Sequence, residues 1–560
     1  MRDISILREP LGVMYPGRLR EAFEAVRRVV EPHVRPGDAP QELFSEQEAI
    51  LITYGDTLKQ SGEAPLVTLR RFAEEKLSEV FSGIHVLPFF PYSSDDGFSV
   101  TDYLSVNPDL GTWNDVEELA RSFRLMIDFV LNHISAHSEW FRRYLAEDPA
   151  FEELAIEVDP SCDLSRVVRP RSTPLLTPFT KKSGKTVHLW TTFSADQIDL
   201  NYKTLKTLCR MLDVFLFYVK RGAAIVRLDA IAYLWKEIGT PCIHLPQTHA
   251  AVRLLRGILD LCAPHVLLIT ETNVPHRENV SYFGDGGNEA QLVYNFTLPP
   301  LLLHCFLRGE ANQLSRWAGT LKAPSDRTTF FNFTASHDGI GVRPLEDVLP
   351  EAIPELVSLA RRAGGLVTFR SNPDGSRSPY ELNVTYVDAV LKAAGTENPD
   401  PFIASQAVPL VLPGVPAIYV HSLFGSRNWY EGVKQTGIAR RINRRKLNAS
   451  EVRKRLADPS SFAARVFKGL CRLLSVRRRQ AAFHPNAAFR VLNIHPRVFA
   501  VHRERNGQRI YALTNLSAEP LKVSIPEEGL PKRAVDLLSS HTVDPSSIHL
   551  PPFGIAWITW

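Results

Sequence analysis

The sequence has no uninterrupted run of about 18 apolar residues, the length that a helix needs to cross a bilayer. Its first residues, MRDISILR, have neither an apolar stretch nor the small-residue cleavage site of a secretory signal peptide. These absences argue against a membrane protein and against a secreted one. We therefore expect a protein of the cytoplasm.

Charge of one sign is also scarce. The 65 basic and 61 acidic side chains leave a net charge of +4 over 560 residues, and no block of like charge indicates a polybasic anchor. This balance argues against a nucleic-acid partner recognised by charge and against a membrane surface. The 6 cysteines have no C-x-x-C spacing, which argues against a disulfide framework and against a zinc site.

What the sequence does contain is a repeated alternation of short apolar runs and helix-like stretches. Continuous apolar runs between helices are typical of strands that are buried on both faces of a parallel sheet. No G-x-G-x-x-G segment follows the first run, so the pattern favours an α/β fold of the (β/α)8 TIM barrel type over an open sheet. The predicted strands are residues 49–54, 84–89, 125–130, 224–229, 266–271, 292–296, 328–333 and 417–420.

Two stretches interrupt this alternation. The segment between the third and fourth runs is too long for a βα loop and is rich in proline, which predicts an inserted domain. Near the end of the chain, short β-like runs separated by turn signals predict an antiparallel β domain. We expect a helical extension at 1–45, a barrel formed by 46–132 and 196–484, an inserted domain at 133–195 and a C-terminal β domain at 485–560.

Polar side chains occur where several of the predicted strands end. In a barrel of this type, side chains at the carboxyl ends of the strands face the active site. One such residue would be an ordinary loop residue, but these converge from four strands on one mouth. They are His133 after the third strand, Arg227 and Asp229 at the end of the fourth, Glu271 at the end of the fifth, and His337 and Asp338 at the end of the seventh.

Such a cluster suits the cleavage of glycosidic bonds. A retaining mechanism needs an ionised carboxylate as nucleophile and a protonated carboxyl as acid/base, roughly 5–5.5 Å apart. Asp229 and Glu271 end consecutive runs, and neighbouring strands lie about 4.8 Å apart, so this pair can meet the requirement. Arg227 points to the same face as Asp229 and can keep that carboxylate ionised. The two histidines can donate to sugar hydroxyls, and Asp338 can grip hydroxyls or offset positive charge in the transition state.

The segments around these residues resemble the signature segments of the α-amylase-type glycoside hydrolase family. They are residues 128–133 (DFVLNH), residues 222–229 (GAAIVRLD), Glu271, and His337 with Asp338; residues 197–202 (QIDLNY) resemble a fifth segment. The resemblance implies a (β/α)8 barrel, a B domain inserted after the third strand and a C-terminal β domain. It also implies that Asp229, Glu271 and Asp338 are catalytic. Two-residue periodicity puts Asp128 towards the strand interior, so we interpret it as structural.

Within this family, the sequence is most similar to the branch of the sucrose phosphorylases. The similarity lies in residues 87–98, 169–171, 298–304, 336–341 and 412–416. It implies a double displacement, in which a β-glucosyl ester forms on Asp229 and phosphate then releases α-glucose 1-phosphate. It also implies that Arg171 and Tyr380 contact phosphate, since a cation and a hydroxyl suit a dianion. The residues implied to bind the rest of the substrate are Asp95, Phe98, His133, Phe193, Arg227, Tyr233, His337, Glu381 and Arg444.

The acceptor loop departs from the sucrose phosphorylases. Where that branch has a glutamine after the tyrosine, this sequence has Glu381, and the preceding loop at 370–377 is longer and more polar. These segments, and residues 229–235 followed by LPQTH at 245–249, resemble the glucosylglycerate phosphorylases. This resemblance implies D-glycerate as the acceptor. Arg377 or Arg171 would then lie near the glycerate carboxylate, and Glu381 would accept hydrogen bonds from its hydroxyls.

Several alternatives stay open at this stage. A sucrose, sucrose 6'-phosphate or glucosylglycerol phosphorylase, and a hydrolase or transglucosidase with the same triad, differ only in the acceptor or in the attacking group. A non-catalytic barrel that serves as a binding module is disfavoured because all three carboxylates are present. The implied partners are a small-molecule glucoside and inorganic phosphate, and nothing in the sequence indicates the oligomeric state.

The chemistry requires neither a metal nor a cofactor. No Asp-rich loop with calcium-ligand spacing occurs in the sequence, and we predict no metal site. The basic run at 440–446 (RRINRRK) is interpreted as a solvated surface, with the exception of Arg444.

Overall fold

The computed structural model of the chain describes residues 3–35, 37, 40–372 and 374–560. Its centre is a closed barrel of 8 parallel strands. Barrel strands that follow one another in the sequence are neighbours, and the first also pairs with the eighth. The predicted (β/α)8 fold is confirmed. The strands are Ile50–Thr53, Gly83–Val86, Arg124–Phe129, Ala223–Leu228, Leu267–Thr270, Leu292–Tyr294, Thr329–Asn332 and Val415–Tyr419.

Burial on both faces explains why these strands are continuous apolar runs. Within them only Arg124 and Ala224 are less than fully buried. Helices cover the outside of the barrel, and none of those described is long and apolar enough to span a bilayer. The α-helices are Arg8–Met14, Leu19–Val30, Pro65–Lys76, Trp113–Ser122, Glu139–Leu145, Leu205–Lys220, Pro246–Cys262, His276–Val280, Leu298–Arg308, Asn312–Ala318, Ala352–Arg362, Tyr386–Ala394, Asp400–Val411, Val420–Leu423, Tyr430–Thr436, Ala449–Ala457 and Phe462–Arg477.

The helices Arg8–Met14 and Leu19–Val30 form most of the N-terminal segment. The first of them packs on the barrel helix Pro246–Cys262, where Glu9 pairs with Arg253 at 3.2 Å. The hydroxyl of Tyr15 donates to the carbonyl of Tyr202 at 2.7 Å. Both contacts tie this segment to the barrel. Of the predicted extension at 1–45, residues 1, 2, 36, 38 and 39 lie outside the described residues.

The segment between the third and fourth strands has a small core of its own. Its hairpin pairs Leu176–Thr180 with Thr186–Trp190, and Trp190 packs there with Val158, Val167 and Leu175. At the base of the segment, strand His133–Ser135 pairs antiparallel with Gln197–Asp199. This pairing joins the two ends of the insertion and holds His133 next to the barrel.

A second insertion follows the seventh strand and was not predicted. Strands Ile340–Gly341, Leu366–Ser371 and Arg377–Asn383 form an antiparallel sheet. The prediction that His337 and Asp338 end the seventh strand is wrong, because that strand stops at Asn332 and the two residues lie on the loop that leads into this sheet. Pro373, in the loop at 370–377, lies outside the described residues.

The C-terminal region is an antiparallel sheet, as expected. A buried arginine of the sheet attaches it to the barrel: Arg503 donates to the carbonyl of Val411 at 2.9 Å. Nearby, the buried Arg477 donates to the carbonyls of Leu410 at 2.9 Å and Phe483 at 3.0 Å. Carbonyl acceptors allow these guanidinium groups to be buried. The strands are, in sheet order, Ala488–His495, Val498–Arg505, Gln508–Asn515, Ile555–Thr559, Ala534–Asp536 and Thr542–Val543, beside the pair Leu521–Val523 and Ile548–Leu550.

Candidate active site

A pocket of about 650 Å³, including its open mouth, lies at the carboxyl ends of the barrel strands. It brings together all of the residues that the sequence analysis singled out for the site, with the exception of Arg444 and Arg377. Those residues are Asp95, Phe98, His133, Arg171, Phe193, Arg227, Asp229, Tyr233, Glu271, His337, Asp338, Tyr380 and Glu381. Gln197, Asn273 and Arg440 line the same pocket and were not predicted.

The floor of the pocket is organised around Arg227. Its Nη1 donates to Oδ1 of Asp229 at 2.7 Å and to Oδ1 of Asp128 at 2.5 Å. The parallel register places Asp128 directly beside Arg227 on the neighbouring strand. The other oxygen of Asp128 is 2.7 Å from Nε2 of His85. Asp128 is therefore structural, as interpreted from the sequence, and its role is to hold the arginine that contacts Asp229.

Glu271 is held by the turn that follows Asp229. Ala230 has a left-handed backbone with φ 49°, which costs a residue with a Cβ roughly 1–2 kcal/mol. In this conformation its N–H donates to Oε2 of Glu271 at 3.1 Å. The register of the fourth and fifth strands pairs Leu228 with Thr270, so Asp229 and Glu271 leave the barrel side by side. The two carboxyl groups therefore face the same pocket.

Burial changes the protonation of this pair. Desolvation raises the pKa of Asp229 and that of Glu271, each to about 7. Arg227 opposes this shift, and it acts most directly on Asp229 because it donates a hydrogen bond to that carboxylate. A proton held by the pair therefore resides on Glu271, with Asp229 ionised. The arrangement can supply one nucleophilic carboxylate and one acid.

Asp338 behaves differently, because cations surround it. Its Oδ1 lies 2.7 Å from Nη1 of Arg440, 3.5 Å from Nε2 of His337 and 3.7 Å from Nη2 of Arg444. Burial acts to raise the pKa of Asp338, but the guanidinium charges of Arg440, Arg444 and Arg227 outweigh it and hold the pKa below its ordinary value. Asp338 is therefore an ionised carboxylate.

Aromatic rings form the walls of the pocket. Phe98 stacks on His337 with ring centroids 4.8 Å apart, and Phe193 lies 5.3 Å from the ring of His133 and edge-on to Tyr233 at 5.7 Å. Burial lowers the pKa of both histidines, so each is a neutral imidazole. Such walls suit the stacking and hydrogen bonding of a sugar ring.

Arg444 lies one layer behind the pocket rather than in its wall. Its Nε donates to the carbonyl of His337 at 2.8 Å, and its Nη1 donates to Oδ2 of Asp96 at 2.7 Å. Asp95 and Asp96 both have a left-handed backbone, with φ 52° and 51°. This turn sends Asp95 into the pocket and Asp96 back to Arg444. Arg444 therefore supports the site without lining it.

The rim of the pocket corrects two expectations. Glu381 is 2 % exposed, and its oxygens accept hydrogen bonds from Nε and Nη2 of Arg440 at 3.0 and 2.5 Å. We predicted that Glu381 accepts hydrogen bonds from the acceptor hydroxyls, but both of its oxygens are engaged by Arg440. The basic run at 440–446, apart from the excepted Arg444, is only partly solvated: Arg445 is exposed, but the side chains of Arg440, Arg441 and Lys446 are 13, 22 and 25 % exposed.

Arg171 and Arg377, the two arginines proposed for the acceptor carboxylate, lie in different surroundings. Arg377 is exposed and does not line the pocket. Arg171 lines it, with its guanidinium 5.6 Å from the ring centre of Tyr380 and its Nη1 4.0 Å from Oε2 of Glu381. The structure therefore brings only Arg171 of these two to the site.

Two buried cations were missed by the sequence analysis. Lys236 donates from Nζ to Oδ1 of Asn132 at 2.7 Å and pairs with Oδ2 of Asp199 at 2.5 Å, next to His133. Arg440 was assigned to the surface. The signal that could have found Arg440 is charge: the predicted site held more carboxylates than cations, and buried carboxylates require partners.

In the described part of the chain, no group of three or more His, Cys, Asp or Glu side chains suits a metal ion.

Comparison with known proteins agrees with this geometry. Residues 79–316 match the alpha-amylase catalytic domain. The chain is 49% identical to the glucosylglycerate phosphorylase of Spirochaeta thermophila, over 92% of this chain and 90% of that protein. It is 47% identical to the glucosylglycerate phosphorylase of Allomeiothermus silvanus, over 92% and 93%. Among solved structures, it is similar to sucrose 6F-phosphate phosphorylase from Thermoanaerobacter thermosaccharolyticum, with a TM-score of 0.75, 25% identity and coverage of 89% and 98%.

Proposed function

This chain belongs to the α-amylase family, in its branch of glycoside phosphorylases, and we propose that it converts 2-O-α-D-glucosylglycerate and inorganic phosphate into α-D-glucose 1-phosphate and D-glycerate. Two glucosylglycerate phosphorylases at 49% and 47% identity over nearly the whole chain support this activity over that of the sucrose 6F-phosphate enzyme at 25%. The observation that carries the proposal is a buried carboxyl pair beneath a rim arginine, Arg171, that lines the pocket and lies 4.0 Å from the carboxylate of Glu381.

In the first half of the reaction, the carboxylate of Asp229 attacks C1 of the glucosyl unit. Glu271 gives its proton to the glycosidic oxygen, the bond to glycerate breaks, and a β-glucosyl ester forms on Asp229. Arg227 keeps Asp229 ionised before the attack. Asp338, which is negative, stabilises the positive charge that develops on the sugar ring.

In the second half, phosphate enters where glycerate has left. Glu271, now a carboxylate, accepts the proton of a phosphate hydroxyl as that oxygen attacks C1. The ester bond to Asp229 breaks and α-D-glucose 1-phosphate is released. Two inversions at C1 give net retention.

We assign Arg171 to the binding of glycerate and phosphate, which occupy the rim one after the other. Arg227 and Arg440 each contact two carboxylates within 3 Å, whereas among the described residues the nearest carboxylate oxygen to Arg171 is 4.0 Å away. Glycerate and phosphate both bring negative charge to C1, one as leaving group and one as attacking group. One guanidinium can therefore serve both, with the hydroxyl of the adjacent Tyr380 as a further donor.

The test is an acceptor screen in the synthetic direction, with α-glucose 1-phosphate as donor and phosphate release as the readout. The kcat/KM for phosphate release should be roughly 10-fold to several hundred-fold higher with D-glycerate than with glycerol, since a neutral acceptor leaves Arg171 without its partner. Fructose and fructose 6-phosphate are the comparison acceptors for the sucrose enzymes. A preference for any of these over D-glycerate would refute the glycerate assignment. Turnover of glucosylglycerate that is independent of phosphate would replace the phosphorylase with a hydrolase.

A further inference from the structure

Arg440 joins two carboxylates that come from different parts of the chain. Its Nη1 lies 2.7 Å from Oδ1 of Asp338, while its Nε and Nη2 donate to the two oxygens of Glu381 at 3.0 and 2.5 Å. The guanidinium is thus shared between a carboxylate of the donor site and one of the rim. The result is a row of three side chains of alternating charge: Glu381, Arg440 and Asp338.

The backbone fixes this arrangement. Gly341 pairs with Glu381 across two antiparallel strands, so Glu381 lies close to the loop of Asp338. A Cβ on Gly339 would come within 3.0 Å of the Cβ of Glu381, so the close approach depends on a glycine there. The short helix Ala439–Asn443 that carries Arg440 is tied to the same loop, because Nδ2 of Asn443 donates to the carbonyl of Asp338 at 3.1 Å.

Charge explains why the members depend on each other. Glu381 is 2 % exposed and Arg440 13 % exposed, so each needs a partner of opposite charge. Without Glu381, Arg440 would be left to Asp338 alone and would compete with sugar hydroxyls for it. Without Arg440, two buried carboxylates would lie close together with less compensation.

We propose that Arg440 is a positioning residue for Asp338 and that Glu381 holds Arg440 in place. Residue 381 therefore acts on the glucosyl half of the reaction, through Arg440, and not by contact with the acceptor. The inference rests on the proposed role of Asp338 towards the glucosyl unit, but it does not depend on which acceptor the enzyme uses.

The test uses α-glucosyl fluoride, a donor whose kcat/KM for fluoride release reports formation of the glucosyl-enzyme whatever the acceptor. Glu381→Gln and Arg440→Gln should each lower this kcat/KM by about tenfold or more. The kcat/KM of the double variant should be roughly 3-fold to 100-fold higher than the product of the two single losses would give, because the groups act as a pair.

A charge-conserving variant at position 440 separates positioning from a loss of stability. Asp338 is faced by Arg440, His337, Arg444 and Arg227, and the carboxyls of Asp229 and Glu271 lie in the same pocket. Among these groups Arg440 contributes most to the low pKa of Asp338. Arg440→Gln removes this charge and should lower kcat/KM for fluoride release. Arg440→Lys keeps the charge and should recover part of that kcat/KM.

Arg427 provides a matched control. It also contacts two carboxylates, those of Asp388 and Glu397, but outside the pocket. Arg427→Gln should lower the melting temperature without lowering kcat/KM for fluoride release. If Glu381→Gln leaves donor kinetics unchanged and alters only the KM of the acceptor, or if Arg440→Lys recovers none of the kcat/KM that Arg440→Gln loses, the inference is overturned. A wild-type enzyme that releases no fluoride would instead refute the proposed function on which it rests.

Discussion

The floor and the rim of the pocket are built in different ways. The floor consists of Asp128, Arg227, Asp229 and Glu271, which lie on or directly after neighbouring barrel strands whose register is set by backbone hydrogen bonds. The rim consists of Arg171, Glu381 and Arg440, which come from three separate loops or insertions. Strand pairing places Glu381, but side-chain contacts of Glu381 with Arg440 and Arg171 join the three segments to one another.

This difference separates two properties of the enzyme, the transfer of the glucosyl group and the choice of the group that receives it. The floor contains the carboxyl pair and the arginine that sets its protonation, so it determines that a glucosyl group is transferred with retention. The rim contains Arg171, the cation that we assign to the leaving and attacking groups, so it determines what the glucosyl group is transferred to. Changes in the floor should abolish the reaction, whereas changes in the rim should redirect or weaken it.

The largest effect is expected at Asp229. Asp229→Asn removes the nucleophile, so no glucosyl ester can form, and kcat should fall by a factor on the order of 10⁴ or more. Phosphorolysis of glucosylglycerate and fluoride release from α-glucosyl fluoride should be lost together. The melting temperature serves as the control for folding. Activity within tenfold of the wild type would remove Asp229 from this role.

Glu271→Gln should also affect the floor, but with a dependence on the leaving group. Glucosylglycerate needs protonation of its leaving oxygen and should react very slowly, while α-glucosyl fluoride, which needs little protonation, should still glucosylate Asp229. In the wild type, burial raises the pKa of Glu271 to about 7, so it carries its proton below that pH and loses it above. The rate with glucosylglycerate should therefore decline as the pH rises through about 7.

That decline should be absent when Glu271→Gln reacts with α-glucosyl fluoride, since the variant has no carboxyl group to titrate at this position. Pre-steady-state measurement of the glucosyl-enzyme with both donors provides the comparison. Equal loss of reactivity with the two donors would contradict the acid/base role of Glu271.

The smallest effect separates two arginines of the acceptor region. Arg171→Gln should raise the KM for phosphate by roughly 10-fold to 150-fold, because a charge-assisted hydrogen bond contributes about 1.5–3 kcal/mol. Hydrolysis, in which water attacks, should be little affected. Arg377→Gln is the matched control: Arg377 is exposed and outside the pocket, so its loss should change the same KM by less than about twofold. A larger effect at Arg377 than at Arg171 would place the anion site elsewhere.

Prediction from the sequence succeeded for the floor and was incomplete for the rim. Each predicted barrel strand overlaps an observed one, because a strand buried on both faces leaves a continuous apolar run in the sequence. The end of the seventh strand was misplaced because the antiparallel sheet after it was not recognised. Arg440 was assigned to solvent because a run of basic residues carries no information about the carboxylates that meet it in the fold.

The sequence by itself determined the barrel, the family and the residues of the floor. These are local features, since periodicity marks a strand and the polar residue that follows it marks the mouth of the barrel. Only the tertiary structure decided which charged side chains of the rim become partners. Arg440 and Glu381 are 59 positions apart, and Arg444 and Asp96 are 348 apart. Which buried charges become partners over such separations depends on how the loops pack, because burial forces each ion to find a counter-ion that proximity in sequence does not supply.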